Sequence, residues 1–211
     1  MNNIDKIKQK NYLGKRSFYL LPNILTTSSL FAGFYSIVQA MNGAYDHAAL
    51  AIFIALILDG LDGRVARLTN TQSSFGAEYD SLSDMVSFGV APGLIVYVWA
   101  LQPLGKLGWI AAFIYCTCAA FRLARFNVKL DIDNKQFFFG LPSPAAAALI
   151  ASFIWISYDN GISGNEIFLG FFQMQWFAFL LTIFAALSMV TDLRYYSGKD
   201  INLRNSQPFI A

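Results

Sequence analysis

Four aspartates lie within 26 residues of one another in a strongly apolar part of the chain: Asp59, Asp62, Asp80 and Asp84. A carboxylate at bilayer depth costs about 2.5–3.5 kcal/mol, and neighbouring carboxylates repel one another. A bound cation offsets both costs, so the pattern predicts a site for divalent metal, with room for two ions. The alternatives are an ion or proton pathway for the pairs and a helix cap or solvated charge for an isolated aspartate.

The spacing of the aspartates predicts that their side chains converge. Asp59 and Asp62 are three residues apart, so they share one face of a helix. Asp80 and Asp84 are four apart and share a face of the next helix. The connection at 68–75 is short, which makes the two helices antiparallel neighbours. Small residues on these faces leave space for a backbone or a bulky ligand: Gly63, Ala66 and Gly76.

The ligand type indicates which metal and which substrate to expect. Carboxylate oxygens without a nearby Cys or His favour a hard cation, Mg²⁺, Mn²⁺ or Ca²⁺, over zinc. Because Mg²⁺ usually completes its shell with phosphate oxygens, we expect a phosphorylated substrate. Two such ions are typical of phosphoryl-type displacements. Arg67, one helical turn beyond the acidic residues, is placed to contact a phosphate.

The composition predicts a membrane protein around these residues. Hydrophobic residues make up 56% of the 211 residues and charged residues only 13%, about half the charged share of a soluble domain. We predict an all-α integral membrane protein in which six transmembrane helices form one bundle. The single domain spans 1–211, with a basic segment at 1–19 and a tail at 192–211. The predicted helices are 20–41, 46–69, 75–101, 107–128, 142–158 and 167–191.

The basic residues predict the orientation of the bundle. Fourteen of the fifteen lie before the first helix, after the sixth, or at and between the facing ends of helices two and three and of helices four and five, and only Lys106 lies on the other side. The positive-inside rule makes the basic side cytoplasmic, so both termini and the aspartates are expected there. Trp99, Trp109, Trp155 and Tyr158 fall near the opposite helix ends, as in an interfacial aromatic belt.

A second polar group is expected on the same side of the membrane. Arg122 and Arg125 lie near the cytoplasmic end of the fourth helix, where a guanidinium fork suits a carboxylate or a phosphate. The alternative is that they extend to lipid headgroups or only fix the topology. Asn127 is placed to hold an ammonium or a hydroxyl group. Ser143 either caps the fifth helix or lies at a helix start that attracts an anion.

The aspartates and their small neighbours fit a known signature. The pattern D-x2-D-G-x2-A-R-x8-G-x3-D-x3-D is typical of the CDP-alcohol phosphatidyltransferases, and the chain resembles that family at every fixed position. Segments 21–26, 121–127, 140–147 and 193–197 are similar to its phosphatidylserine synthase branch. The residues that match the signature are Asp59, Asp62, Gly63, Ala66, Arg67, Gly76, Asp80 and Asp84.

The resemblance implies a six-helix homodimeric enzyme with a cytoplasmic active site, in the inner membrane of a bacterium. It implies transfer of the phosphatidyl group of CDP-diacylglycerol to the hydroxyl of L-serine, with release of CMP. Asp59, Asp62 and Asp80 would bind Mg²⁺ or Mn²⁺, and Asp84 would be both a ligand and the general base. Apart from the resemblance, the position of Asn23 just after Pro22 suggests that it reaches the diphosphate from the first helix. The remaining signature residues would line the CDP site: Gly63, Ala66, Arg67 and Gly76.

Two alternatives stay open at this point. Within the family, the acceptor is another alcohol, such as glycerol 3-phosphate or inositol phosphate, although these call for a denser basic pocket than Arg122 and Arg125 provide. Outside the family, a cation transporter also places acids in a helix bundle, but repeats or broken helices near the midplane are then expected and the sequence shows neither. Membrane lipids are the expected surroundings, and no nucleic-acid partner is predicted.

Overall fold

The computed structural model describes residues 3–129, 137–162, 164, 167–168, 172–191 and 194–196. This part of the chain is almost entirely helical, which confirms the prediction of an all-α membrane protein. Two π-helical segments and a 3₁₀ turn continue the third long helix after Asp84: Met85–Val90, Tyr97–Leu101 and Gln102–Leu104. The α-helices are α1 Asn3–Met41, α2 Tyr45–Leu68, α3 Ser74–Asp84, α4 Ala91–Val96, α5 Lys106–Lys129, α6 Ser143–Asp159 and α7 Met174–Val190.

Each of the six predicted helices has a counterpart, but their lengths differ from the prediction. In the described part of the chain, three are long and apolar enough to cross a membrane: Leu21–Met41, Ser74–Leu104 and Lys106–Val128. The first helix begins at Asn3 rather than near 20. The sixth begins at Met174 rather than at 167, because Ile167–Phe168 and Phe172–Gln173 pair as short antiparallel strands. A short apolar run does not by itself distinguish strand from helix.

Small residues hold the first three helices close together. Ser29 Oγ donates to the Ala55 carbonyl oxygen at 3.0 Å, and Ser36 Oγ donates to that of Ala48 at 2.6 Å, so two hydroxyl groups join α1 to α2. A Cβ atom at Gly33 would lie 2.5 Å from Ser87 Oγ, so the backbones of α1 and the third helix approach each other closely there. These contacts place α1 beside both of the helices that carry the aspartates.

The first π-helical segment, Met85–Val90, begins directly after Asp84. Within it, the carbonyl oxygen of Phe88 accepts a hydrogen bond from the Tyr115 hydroxyl of α5 at 3.1 Å. Both side chains are fully buried. A π turn disturbs the regular i→i−4 bonding, and a partner for a displaced backbone group has particular value in an apolar interior.

The predicted aromatic belt is only partly present. Trp109, Trp155 and Tyr158 are exposed on the outside of the bundle. Trp99 is buried, and its ring packs edge-on against Phe153 with centroids 5.4 Å apart, so its assignment to the belt was wrong. Hydropathy places Trp99 near the helix end but does not give the rotation of the helix, which the π turns alter.

The connection between α5 and α6 is docked on the end of α7. Its strand Phe137–Phe139 pairs antiparallel with Arg194–Tyr196, which follows α7. The Leu141 N–H donates to the Ser188 carbonyl oxygen at 2.8 Å. The sequence pattern did not predict this strand pair, which fixes the point where α6 begins.

Gly140 allows this docking, and its replacement by alanine should destabilise the protein strongly. Gly140 has a φ of 78°, and an added Cβ would overlap the Met189 carbonyl oxygen. Gly161 has a similar φ of 72° with nothing within 4 Å of an added Cβ, so it is a matched control. Gly161→Ala should cost about 1–2 kcal/mol, from the backbone alone. Gly140→Ala should cost about 2–5 kcal/mol, because overpacking adds to the same backbone cost.

Thermal unfolding of the two variants in detergent micelles tests this expectation. A clearly larger fall of Tm for Gly140→Ala than for Gly161→Ala is expected. Equal falls would contradict the close docking of this connection on α7.

Candidate active site

The structure brings the four aspartates together between α2 and the third helix. One carboxylate oxygen each from Asp59, Asp62 and Asp80 lie within 4.8 Å of one another. Asp84 joins this group through Asp59, since the two side chains are close enough for a hydrogen bond. The convergence predicted from the spacing is therefore present. We call these four residues the acidic cluster.

A tight turn between the two helices produces this convergence. α2 ends at Leu68, and α3 begins at Ser74 after a short connection. Ser73 is the N-cap of α3, where its Oγ accepts a hydrogen bond from the Gly76 N–H at 3.0 Å. A capped start fixes the direction of α3, so that Asp80 and Asp84 face the side of α2 that carries the other pair.

The acidic cluster fits a hard divalent cation. Asp62 is only 4% exposed. The Oδ1 atoms of Asp80 and Asp84 are buried and have no hydrogen-bond partner within the described part of the chain. Buried carboxylate oxygens without a partner are costly, whereas several of them converging on one point are the ligands that Mg²⁺, Mn²⁺ and Ca²⁺ prefer. The donor set contains no sulfur or imidazole, which disfavours zinc.

The remaining signature residues border the acidic cluster. The Arg67 Nε–H donates to the Gly63 carbonyl oxygen at 2.9 Å, which holds the exposed guanidinium group back along α2. Asn23 Oδ1 of α1 lies 3.6 Å from the position of a Cβ atom on Gly76, so α1 approaches the start of α3 there. Ala66 is half-buried on α2. The structure thus places Asn23, predicted from α1, next to a residue of the signature.

The second polar group lies on α5 and at the start of α6. An Arg122 Nη1–H donates to Ser143 Oγ at 2.7 Å, and the guanidinium group also interacts electrostatically with Asp84. Ser143 is fully buried and is the first residue of α6. The helix has Pro142 at its N-cap position and no side-chain cap, so the capping alternative for Ser143 was wrong. Arg125 is half-buried on α5, three residues after Arg122.

Asn127 is held by the helix that carries the acidic pair. Its Nδ2–H donates to Ser81 Oγ at 3.0 Å, next to Asp80. This bond joins the cytoplasmic end predicted for α5 to α3. Asn127 therefore lies close to the acidic cluster, but its amide group is hydrogen-bonded to the Ser81 side chain.

Sequence reasoning missed two hydroxyl residues beside the cluster. Thr26 Oγ1 on α1 donates to Asp62 Oδ2 at 2.6 Å. Ser83 Oγ, next to Asp84, donates to the Thr26 carbonyl oxygen at 3.2 Å. The available signal in the sequence was a threonine one helical turn after Pro22, but spacing alone does not show which helix this threonine contacts.

Comparison with known proteins shows the family to which the chain belongs. The sequence model of the CDP-alcohol phosphatidyltransferase family matches residues 19–193. A CDP-diacylglycerol–serine O-phosphatidyltransferase of Helicobacter pylori strain J99 is 40% identical over 188 residues, covering 87% of this chain and 74% of the relative. One of Mycobacterium tuberculosis strain H37Rv is 40% identical over 147 residues, 67% of this chain and 51% of the relative. An archaetidylserine synthase of Methanothermobacter thermautotrophicus is 36% identical over 149 residues, which cover 70% of this chain and 63% of the relative.

Proposed function

Because this chain belongs to the CDP-alcohol phosphatidyltransferase family, we propose that it is a CDP-diacylglycerol–serine O-phosphatidyltransferase. It would transfer the phosphatidyl group of CDP-diacylglycerol to the hydroxyl of L-serine, which gives phosphatidylserine and CMP. The observation that carries the proposal is the acidic cluster, in which three carboxylates within 4.8 Å suit a metal-dependent diphosphate site. The choice of serine is supported by the names of the relatives at about 40% identity.

The donor end of the proposed site lies between α1, α2 and α3. Asp59, Asp62 and Asp80, with Asp84 as a further ligand, would hold one or two divalent ions, Mg²⁺ or Mn²⁺. Bound there, the metal would neutralise the charge of the diphosphate and of the departing CMP. The CDP moiety would contact Asn23, Gly63, Ala66, Arg67 and Gly76.

Two of these residues have donors suited to phosphate oxygens. The Asn23 amide of α1 lies beside Gly76, and the Arg67 guanidinium group of α2 lies beside Gly63. Charge-assisted bonds from such groups fix the orientation of a phosphate. The glycine and alanine positions leave space for the nucleotide beside them.

The acceptor end lies between α3, α5 and α6. Arg122 gives one N–H to Ser143, and its guanidinium group has further donors for the carboxylate of serine. Asp84, which interacts electrostatically with Arg122, would take the proton of the serine hydroxyl as its oxygen bonds to phosphorus. The phosphorus–oxygen bond to CMP breaks in the same displacement. Arg125 and Asn127 would complete the wall of this pocket.

The surroundings of the enzyme are proposed from the distribution of charge. We propose six membrane spans with both termini cytoplasmic, an orientation supported by fourteen of fifteen basic residues lying on one side of the predicted helices. The active site then opens to the cytoplasm, where serine is dissolved, while the lipid donor arrives through the membrane. We propose the inner membrane of a bacterium as the location, and a homodimer as the assembly.

CMP release by the purified protein tests the reaction, the metal and the acceptor together. With CDP-diacylglycerol and Mn²⁺ or Mg²⁺ in detergent, we expect release that depends on serine and stops with EDTA, because the carboxylates cannot hold the diphosphate without a cation. Inositol, inositol phosphate and glycerol 3-phosphate are tested in parallel.

The outcomes separate the parts of the proposal. Release with another alcohol and not with serine would keep the mechanism and overturn the acceptor. Release that continues in EDTA would overturn the metal site. No release with any alcohol, from folded protein, would contradict the proposed reaction.

A further inference from the structure

Thr26 contacts the acidic cluster from a helix that carries none of its carboxylates. Its Oγ1 lies 2.6 Å from Asp62 Oδ2 and 3.1 Å from the Pro22 carbonyl oxygen. The side chain is 4% exposed, and Asp62 is equally buried. This is a direct contact between two buried polar groups on different helices.

The single hydroxyl proton of Thr26 points to the carboxylate. A hydroxyl has one proton to give, and it has two acceptors here. The bond to Asp62 is the shorter of the two, and a carboxylate group is a stronger acceptor than a peptide carbonyl, which makes this bond the stronger one. The Pro22 carbonyl oxygen accepts the regular helix hydrogen bond from the Thr26 N–H, so it has a partner even without the hydroxyl.

Thr26 differs in this respect from the other hydroxyls that join α1 to α2. Ser29 and Ser36 donate to the backbone carbonyls of Ala55 and Ala48. Those carbonyls lie inside a regular helix and are bonded without the serines, so the two serines contribute to packing alone. The acceptor of Thr26 is instead a side chain of the acidic cluster, which rotates freely about its own bonds unless something holds it.

Thr26 also contacts the other acid-bearing helix. Its carbonyl oxygen accepts a hydrogen bond from Ser83 Oγ, one residue before Asp84. One residue of α1 is therefore bonded to α2 through its side chain and to α3 through its backbone. A shift of α1 at this point would be transmitted to both halves of the cluster.

We propose that Thr26 is a positioning residue, which holds the Asp62 carboxylate in the orientation that binds the divalent metal. The inference rests on the proposed metal-dependent function, and the residue acts through Asp62 rather than by touching the metal or the substrate. Hydrogen-bond partners of metal ligands typically change metal affinity by about 10- to 100-fold when removed. The hydroxyl of Thr26 is expected to lie in that range.

Direct metal binding by three variants tests this role. Thr26→Val keeps the branched shape and removes the hydroxyl, Thr26→Ser keeps the hydroxyl, and Ser36→Ala removes a hydroxyl from the same helix interface away from the cluster. Binding of Mn²⁺ to the purified full chain is followed by electron paramagnetic resonance, without substrates. We expect the Kd to rise about tenfold or more for Thr26→Val, and to stay within about twofold for the other two variants.

Catalysis gives a second readout that a merely structural role would not move. For Thr26→Val, the Mn²⁺ concentration for half-maximal CMP release should rise while kcat at saturating Mn²⁺ stays within about threefold. Should this variant fail to fold, Thr26→Ala is measured in the same way. Wild-type Kd and metal dependence in a folded variant without the hydroxyl would overturn the inference.

Asp62→Asn separates this inference from the proposed function. If it weakens Mn²⁺ binding while Thr26→Val does not, the metal site stands and only the role of Thr26 is overturned. If the wild-type chain binds no Mn²⁺ at all, the metal site is wrong, and the role of Thr26 is overturned with it.

Discussion

Replacement of Asp80 by asparagine is expected to lower the kcat of CMP release by about 10³-fold or more, while the protein still folds. Asp80 is one of the three residues whose carboxylate oxygens lie within 4.8 Å of one another, and its Oδ1 is buried with no hydrogen-bond partner in the described ranges. Asparagine has the same shape but is neutral and offers one oxygen, so it is a poor ligand for a hard cation. Asp62→Asn should have an effect of the same order.

Asp46→Asn is the matched control for these changes. Asp46 lies in the first turn of α2, on the same helix as Asp62, and its exposed carboxylate contacts only its neighbour His47 among the described contacts. This variant should keep wild-type activity. Detergent gel filtration and thermal unfolding show whether the Asp80 and Asp62 variants are folded. Near-normal kcat in either one would contradict the assignment of the cluster as the metal site.

Replacement of Arg122 by lysine should raise the KM for serine by about 10- to 100-fold and change kcat less. The guanidinium group donates to Ser143 Oγ at 2.7 Å and interacts electrostatically with Asp84. Lysine keeps the charge but lacks the planar fork, so it cannot contact Ser143 and a carboxylate in the same geometry. Steady-state kinetics with serine as the varied substrate measures the effect.

Two serines of α6 provide the matched pair for this prediction. Ser143→Ala removes the group that orients Arg122 and should raise the KM for serine in the same direction. Ser152→Ala removes a hydroxyl whose hydrogen bond, among the residues that the structure describes, goes to the Ala148 carbonyl of its own helix, and it should leave KM unchanged. An unchanged KM for serine in both Arg122→Lys and Ser143→Ala would contradict substrate binding by Arg122. It would favour the alternative that Arg122 extends to lipid headgroups or only fixes the topology.

The convergence of the aspartates was predictable because it depends on spacing within helices. Three- and four-residue intervals put each pair on one face, and the short connection after Leu68 left antiparallel packing as the simple solution. The helical character of the chain followed in the same way from long apolar runs. Both properties are local, and predicting them does not require knowing how one helix is rotated relative to a distant one.

The contacts between distant helices were not predictable from the pattern. Thr26 and Asp62 are 36 residues apart, and Arg122 and Ser143 are 21 apart. Periodicity shows which residues share a face but not which face of another helix they meet. The π turns after Asp84 add a rotation that no propensity reveals, and Trp99, which lies in the second of them, is buried in the bundle.

The hydrogen bond between Tyr115 and the Phe88 carbonyl limits how the third helix and α5 can turn relative to each other. Phe88 lies four residues beyond Asp84, and Tyr115 lies seven residues before Arg122, so the bond joins the helix that carries the proposed base to the helix that carries the proposed carboxylate-binding group. Breaking it in the apolar interior would leave a carbonyl group and a hydroxyl group without partners, which resists rotation of either helix alone. In the proposed mechanism, the separation between Asp84 and Arg122 is therefore set before serine binds, and ordering these two groups adds little to the entropy lost on binding.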